Sequence, residues 1–369
     1  MEKRVQGESA LPQNYTYTDA GVNRQQRIES KKALKNLQET YKNSHYGNVM
    51  RLPYGNIFPA ERNTFLDLVI EGVGTKVLLA QLARKYDTIG IDAVAMAVND
   101  VIRSGARPLA IADNIHAQAS EPQLVREWLK GIIRGSAEAE CPVTGGETGD
   151  VAEIIKGLTE NAGFDMVVAS VGRVERQEIV TGRNIKPGDP IIGLASSGLH
   201  SNGITKARKI LFKQWGGKYE SNDIPNGLDR EIVLEALEPT KIYVKPLLKL
   251  VSEVKVKAAV HITGDAYMKF SNLANFSPGI GFEFTNFQPQ RIFGLIQKTA
   301  TELGYSISDE EMFKTFNMGW GFGVIVDRTE VDKAISTLEQ AGVKPDMIGK
   351  VTDKQAIAIE YKNKRLVLT

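Results

Sequence analysis

Cysteine is almost absent from this chain: Cys141 stands alone among 369 residues, which excludes an intramolecular disulfide framework and any cysteine-rich zinc or iron–sulfur site. Histidine is scarce too. The four histidines, His45, His116, His200 and His261, form no HExxH metal pair. No apolar run approaches the roughly 18 residues that span a bilayer, and the polar opening MEKRVQGESALPQNY lacks the apolar core of a signal peptide. A cytoplasmic protein with no membrane partner is expected. An excess of one charge is missing as well, since 46 Lys and Arg face 44 Asp and Glu for a net charge of +2. That balance gives little of the footprint a nucleic-acid binder needs, so a small-molecule partner is favoured. Three familiar signatures are also lacking: the GxxxxGK[ST] phosphate loop, the GxGxxG dinucleotide turn and the GxSxG nucleophile elbow.

What is present is an ordinary globular composition, with 42% hydrophobic and 24% charged residues, on a length that suggests about two domains at roughly 150 residues each. Residues 24 to 42, with Ile28, Leu34, Leu37 and Tyr41 among charges, read as a surface helix after a polar arm. Phe65 to Ile70 reads as a strand, Glu71 to Thr75 as a glycine turn and Lys76 to Tyr86 as a helix. A second helix is expected from Ala93 to Ser104 with Asp92 as its N-cap and Gly105 past its end. A third follows the capping-box pattern of Ser120 and Gln123. Gly145 to Asp150 reads as a loop and Phe164 to Val174 as a strand. Thr181 to Asp189, with Gly182, Pro187 and Gly188, marks the boundary between domains 1–180 and 181–369. The second half opens as a strand at Pro190 to Ala195, a loop at Ser196 to Gly203 and a basic helix to about Trp215. Helices near 229–237, 241–253, 289–303 and 329–341 then alternate with strands near 256–262, 280–285, 320–326, 345–351 and 355–368. Such alternation implies layered α/β domains.

The residues that carry chemistry gather in the glycine turns. In Glu71-Gly-Val-Gly-Thr-Lys76, glycines let backbone amides approach a ligand, and Lys76 sits in the first turn of a helix whose N-terminus favours anions. A plain strand-to-helix turn with a solvated lysine is the competing reading. Carboxylates nearby, Glu71, Asp92, Asp100 and Glu147, offer oxygen ligands to a hard cation on nucleotide phosphates. Asp92 and Asn99 lie seven residues apart, nearly on one helix face, and Asp100 is about 100° further round. Asp92 reads better as a cap, whereas Asp100 inside a helix favours a functional reason. Gly145-Gly146-Glu147-Thr148 offers a carboxylate and a hydroxyl beside mobile backbone, or simply a β-turn. Ser196-Ser-Gly-Leu-His200-Ser201-Asn202-Gly203 concentrates polar groups before a helix, where a phosphate or polar molecule fits. There Asn202 is also a candidate cap and His200 a candidate structural histidine, as is His261 in Ala-Val-His-Ile-Thr-Gly264.

In order along the chain, YTDAGVN at 17–23, EGVGTK at 71–76, TIGIDAVAMAVNDVIRSGARPL at 88–109 and TGGETGD at 144–150 resemble the aminoimidazole ribonucleotide synthetase family. The resemblance continues through SSGLHSNG at 196–203, EPTKIYVKPLL at 238–248, HITG at 261–264 and KTFNMGWGFGVIV at 314–326. It implies two α/β domains, the N-terminal ones pairing across a homodimer into a β-barrel and the C-terminal one completing the substrate cleft. It implies ATP-dependent closure of formylglycinamidine ribonucleotide to aminoimidazole ribonucleotide in purine biosynthesis, rather than the chemistry of a selenophosphate synthetase, thiamine monophosphate kinase or hydrogenase maturation factor, or a noncatalytic nucleotide binder. By the same resemblance Gly72, Gly74, Thr75 and Lys76 go to ATP phosphates, and Asp100 and Asn99 with Glu71 to Mg2+. Gly146, Glu147 and Thr148 go to the same cleft, and His200, Ser201, Asn202, Gly203 and His261 to substrate binding or proton transfer. Two positions depart from the family: Glu71 stands where aspartate is usual, and Asp265-Ala266 follow HITG where glycine is usual. Lys76→Met is accordingly expected to leave the fold intact and lower kcat/KM.

Overall fold

The computed structural model describes residues 13–16, 18–21 and 23–368, so the start of the polar arm and parts of the 17–23 segment lie outside the described residues. The first strand, β1 (Gln13–Asn14), does not join its neighbours in sequence. It pairs in parallel with Tyr305–Ser306, near the far end of the chain. The surface helix is α1 (Arg24–Ala33) and then a tighter 3-10 stretch, Leu34–Asn43, instead of one α-helix to residue 42.

Six strands build the first sheet: β2 (Met50–Leu52), β3 (Gly55–Pro59), β4 (Thr64–Gly72), β5 (Arg107–Ala117), β6 (Val143–Asp150) and β7 (Phe164–Glu175), in the order β2-β3-β4-β7-β5-β6. In β7 burial alternates residue by residue, with Phe164, Met166, Val168 and Ser170 inward, the period a strand imposes on its two faces. The inner face is covered by α3 (Ile89–Val101), which follows α2 (Lys76–Ala83), and α4 (Pro122–Ala139) packs on α3. All thirteen residues of α3 are buried. That explains why its sequence is apolar nearly all round. Two expected caps fail. The helix begins at Ile89 behind Thr88, so Asp92 lies in its first turn, and α4 follows Glu121 while Ser120 Oγ donates to Asp150 Oδ1 at 2.5 Å. The segment Gly145 to Asp150 is a strand, not a loop. It forms the parallel edge of the sheet against Ala112 to Ala117.

The second sheet takes β8 (Pro190–Ala195), β9 (Ala258–His261), β10 (Gly281–Phe284), β12 (Trp320–Ile325), β13 (Pro345–Thr352), β14 (Ile357–Tyr361) and β15 (Lys364–Leu368), with the short β11 (Tyr305–Ser306) left to pair with β1. Its order is β15-β14-β10-β13-β8-β12-β9. The strands β9 and β12 are buried throughout, as expected for a sheet covered on both faces. Around it lie α5 (Ile204–Leu211), α6 (Ile232–Ala236), α7 (Val244–Glu253), α8 (Arg291–Glu302), α9 (Asp309–Thr315) and α10 (Val331–Gln340). Gly203, at φ 77°, sits at the N-cap of α5, so Asn202 is not the cap.

α3 and α4 approach so closely because Gly90 and Gly131 face each other. A Cβ on Gly90 lies 2.3 Å from Ile132 N and 2.6 Å from Trp128 O. Gly90→Ala therefore forces the two helices apart and costs about 1–3 kcal/mol, the range for overpacked cores. Gly294→Ala in α8 meets nothing within 4 Å and gains up to about 1 kcal/mol of helix propensity. Denaturant unfolding of the two variants should therefore shift in opposite directions.

Candidate active site

Between the two sheets lies a cavity of about 590 Å³. Its first-half wall includes Tyr54 from the turn between β2 and β3, Asp67 and Glu71 from β4, and Asp100 and Arg103 from the end of α3 and the turn after it. Its second-half wall includes Asn202, Thr263, Gly264, Asp265 and Lys269. The chain passes between the halves at Val180 and Gly182, which also face the cavity.

Asp100 is the best-held group here. One oxygen is 2.7 Å from His261 Nδ1 and the other 2.9 Å from Arg103 Nη2. Burial alone would raise its pKa, but the Arg103 guanidinium and the His261 hydrogen bond outweigh burial and hold the carboxyl well below the usual range. A charged Asp100 requires His261 Nδ1 to carry the proton and donate it. His261 itself is buried, stacked on Phe322 with ring centroids 5.6 Å apart, and burial pushes its pKa down. It holds one Asp100 oxygen through this hydrogen bond. It does not line the cavity.

Glu71, near the end of β4, faces the same space. Burial, then the charge of Asp100, pushes its carboxyl up to about 7; burial likewise takes Asp67 up to about 6. Lys269 lies in the 3-10 stretch Ala266–Asn275 that follows HITG. Its ammonium donates to Thr263 Oγ1 and, at 3.2 Å, to His261 O. Burial lowers it to about 8, against the raising charge of Asp100. Asp265 and Ala266, which follow HITG, both adopt left-handed backbone at φ 65° and 42°. This turn starts the stretch that carries Lys269 to the cavity.

Other expected residues sit elsewhere. Lys76 is fully buried: Nζ is 2.8 Å from Asp92 Oδ1 and donates to Glu238 O at 2.6 Å. It is not a solvated point charge at a loop mouth. Asp92 Oδ1 also accepts from Ser201 Oγ at 3.1 Å and from Thr240 N and Oγ1 at 2.8 and 2.6 Å. The Asn99 amide is engaged by backbone, donating to Lys241 O at 2.8 Å and accepting from Tyr243 N at 2.9 Å, and Asn99 does not line the cavity. His200 Nε2 accepts from Ser197 N at 3.2 Å. Burial, then His261 and Lys76, holds that imidazole neutral, well below its ordinary pKa, and it too is shut off from the cavity. Thr75 Oγ1 lies 2.8 Å from Thr205 Oγ1, joining the glycine turn to α5. Gly72, Gly74 and Gly203 do not line the cavity.

Gly146, Glu147 and Thr148 stand exposed on β6, separated from β4 by β7 and β5, so one chain does not bring them to this cavity. Of the expected residues Glu71, Asp100 and Asn202 converge. Buried Asn202 Nδ2 has no protein partner among the described residues. Sequence reading missed Lys269, whose only signal is a lysine inside the apolar run Tyr267-Met-Lys-Phe270. It placed Arg103 on the helix without a role. Asn317 of the KTFN segment was also passed over. Its amide donates to Gly198 O at 2.8 Å and accepts from Ser196 Oγ at 3.0 Å, fixing the SSGLHSNG loop.

The donor set suits Mg2+ only as a guest of the nucleotide. Among the described residues no group of three or more His, Cys, Asp and Glu is placed to hold a metal. Glu71 and Asp100 are neighbours, and one or two carboxylates are what Mg2+ takes from a protein when phosphates and water fill its remaining positions.

The two mixed sheets and the cavity between them make this a two-sheet α/β protein. The chain belongs to the AIR synthase related family: the N-terminal domain of that family matches residues 57–174 and the C-terminal domain residues 186–362. A phosphoribosylformylglycinamidine cyclo-ligase of Pyrococcus horikoshii is 36% identical over 356 residues, covering 96% of this chain and 99% of its own length. Another, from Carboxydothermus hydrogenoformans, is 40% identical over 284 residues, covering 76% of this chain and 79% of its own. Among solved structures, the HypE–HypF complex aligns with a TM-score of 0.57 at 16% identity, over 85% of this chain and 92% of that one. T. maritima PurL complexed with ATP aligns at 0.55 and 15%, over 87% of this chain and 45% of that one. Those two likenesses establish the fold.

Removing Lys76 leaves the buried Asp92 carboxylate without its counter-charge, a change that costs about 3–5 kcal/mol. Lys76→Met should therefore lower the thermal midpoint sharply, and Lys76→Met with Asp92→Asn should recover part of the loss. A Lys76→Met protein that melts like the parent would show that the pair does not form in solution.

Proposed function

We propose that this chain is an ATP-dependent cyclo-ligase that closes formylglycinamidine ribonucleotide to aminoimidazole ribonucleotide. The observation that carries this reading is the match to curated cyclo-ligases along both halves that wall the cavity, at 36% identity over 96% of the chain for the Pyrococcus horikoshii enzyme. Formamide oxygen is a poor leaving group. Transfer of the γ-phosphoryl group to it releases ADP and makes an imidoyl phosphate; the amidine nitrogen then attacks the formyl carbon, loses a proton and expels phosphate. Catalysis of such a sequence is largely positioning and charge neutralisation.

Several residues of the cavity and its surroundings have a part in that scheme. Glu71 and Asp100 are the side chains that would hold Mg2+, which when bound neutralises phosphate charge. Arg103 and His261 fix Asp100 so that its carboxylate is pre-oriented and ionised. Lys269 takes the place first expected of Lys76, as a desolvated cation where negative charge develops, the setting in which one such group matters most. Asn202 offers its unpartnered amide to a substrate oxygen. The buried network around Asp92 holds the glycine turn and the SSGLHSNG loop in register.

The same reading makes the protein a cytoplasmic homodimer joined through the outer face of the first sheet. Leu68 and Ile70 on β4 are 61% and 69% exposed although both are apolar. They also border the cavity, so a second copy on this face adds a wall to the site. Glu147 and Thr148 on the exposed β6 are then free to meet the partner's cleft.

Purified protein with Mg2+ should release ADP only when formylglycinamidine ribonucleotide is present, one ADP per ring closed. Comparable ATP use without it, or with selenide or thiamine monophosphate in its place, overturns the proposal. Light scattering at micromolar concentration should return about twice the 40.6 kDa chain mass; an active monomer excludes the shared face.

A further inference from the structure

Beside the main cavity lies a second hollow of about 420 Å³. The two share walls at Leu52, Pro53, Gly55, Asn56 and Asn272. Their charges differ. The main cavity sets Asp67, Glu71, Asp100 and Asp265 beside Arg103 and Lys269, whereas the second hollow has no carboxylate in its lining and presents Lys35, Arg51 and the amides of Gln38, Asn56, Asn272 and Asn275. These come from four separate parts of the chain: the 3-10 stretch Leu34–Asn43, β2, β3 and the end of the stretch Ala266–Asn275. Arg51 lies over the ring of Phe276 at 6.0 Å, and Asn56 Nδ2 is held by Tyr41 Oη at 2.9 Å. A guanidinium over an aromatic face keeps its N–H groups for an anion. Among the described residues Arg51 and Lys35 have no carboxylate partner.

A phosphorylated ribosyl substrate and a nucleotide place opposite demands on such a pair of compartments. Nucleotide phosphates arrive with a divalent cation and tolerate neighbouring carboxylates. A phosphomonoester carries roughly two negative charges near neutral pH and brings no metal of its own, so it needs protein cations and donors and is repelled by carboxylates. We infer that the hollow at Arg51 and Lys35 binds the 5′-phosphate of the ribosyl substrate, while its formamide and amidine end lies in the main cavity against Asn202 and Lys269. The inference rests on the cyclo-ligase reading. It goes further in giving the substrate a direction within the site, with the ribose crossing the shared wall at Pro53 and Asn56.

The test compares the parent with Arg51→Ala, Lys35→Ala and the double variant, using formylglycinamidine ribonucleotide and the same compound lacking its phosphate. For the double variant KM and the calorimetric Kd for the ribonucleotide should rise on the order of 10-fold or more, the scale of lost hydrogen bonds to a charged group. kcat and KM for ATP should stay within about twofold. With the dephosphorylated compound, parent and double variant should behave alike, since there is no phosphate left to lose. An unchanged KM and Kd for the ribonucleotide, or an equal loss with both compounds, overturns the subsite. If the parent binds the ribonucleotide in an Arg51-dependent way but never closes its ring, the subsite stands and the cyclo-ligase reading falls.

Discussion

One buried carboxylate joins the halves of this molecule. Asp92 Oδ1 receives Lys76 from the start of α2, Ser201 from the SSGLHSNG loop and both donors of Thr240. Two turns along the same helix, Asn99 repeats the device by clasping the backbone at Lys241 and Tyr243. A buried ion pair adds little to stability beyond what a well-packed apolar pair gives. What it does impose is register, because every alternative placement of the two halves strands a charge or an amide in the core. The cavity walls come from both halves, and their spacing is therefore set by α3.

This explains the division of labour along that helix. Positions 92 and 99 lie almost on one face and clamp the second half; position 100 is turned by about 100° and reaches the cavity instead. Burial of the cavity walls then shapes its chemistry. It pushes Glu71 and Asp67 up and Lys269 down, toward one another across neutrality, while Asp100 stays ionised only because Arg103 and His261 compensate it. Desolvated groups of this kind exert fields that water would otherwise screen.

Much of this was legible in the chain. The alternation of elements after Pro190 follows hydrophobic period, and the spacing of Asp92, Asn99 and Asp100 sets the first two on one helix face and the third apart, although the resemblance groups Asn99 with Asp100 at the cation. What it could not reveal was which polar residue points where. Lys76 follows two glycines in a turn that suits phosphate, yet a buried aspartate sixteen residues later takes its charge. Gly145 to Thr148 has turn composition, and only pairing with β5 makes it a strand. β5 itself went unread because Pro108, Asp113 and Asn114 break its apolar alternation. The Ser120 pattern looked like a capping box until Asp150, thirty residues on, claimed the hydroxyl. In each case a long-range partner outbids the local one.

The pairing of β1 with β11 has a bearing on how the chain is made. Gln13 and Asn14 hydrogen-bond alongside Tyr305 and Ser306, and Tyr15 rests its ring 5.0 Å from that of Tyr305. Almost three hundred residues separate the partners, so the earliest described segment to leave the ribosome is among the last to find its place. The first sheet draws all its strands from residues 50 to 175 and has them all before synthesis reaches Tyr305. Gln13 and Asn14 thus dock only onto a second half that has already been translated.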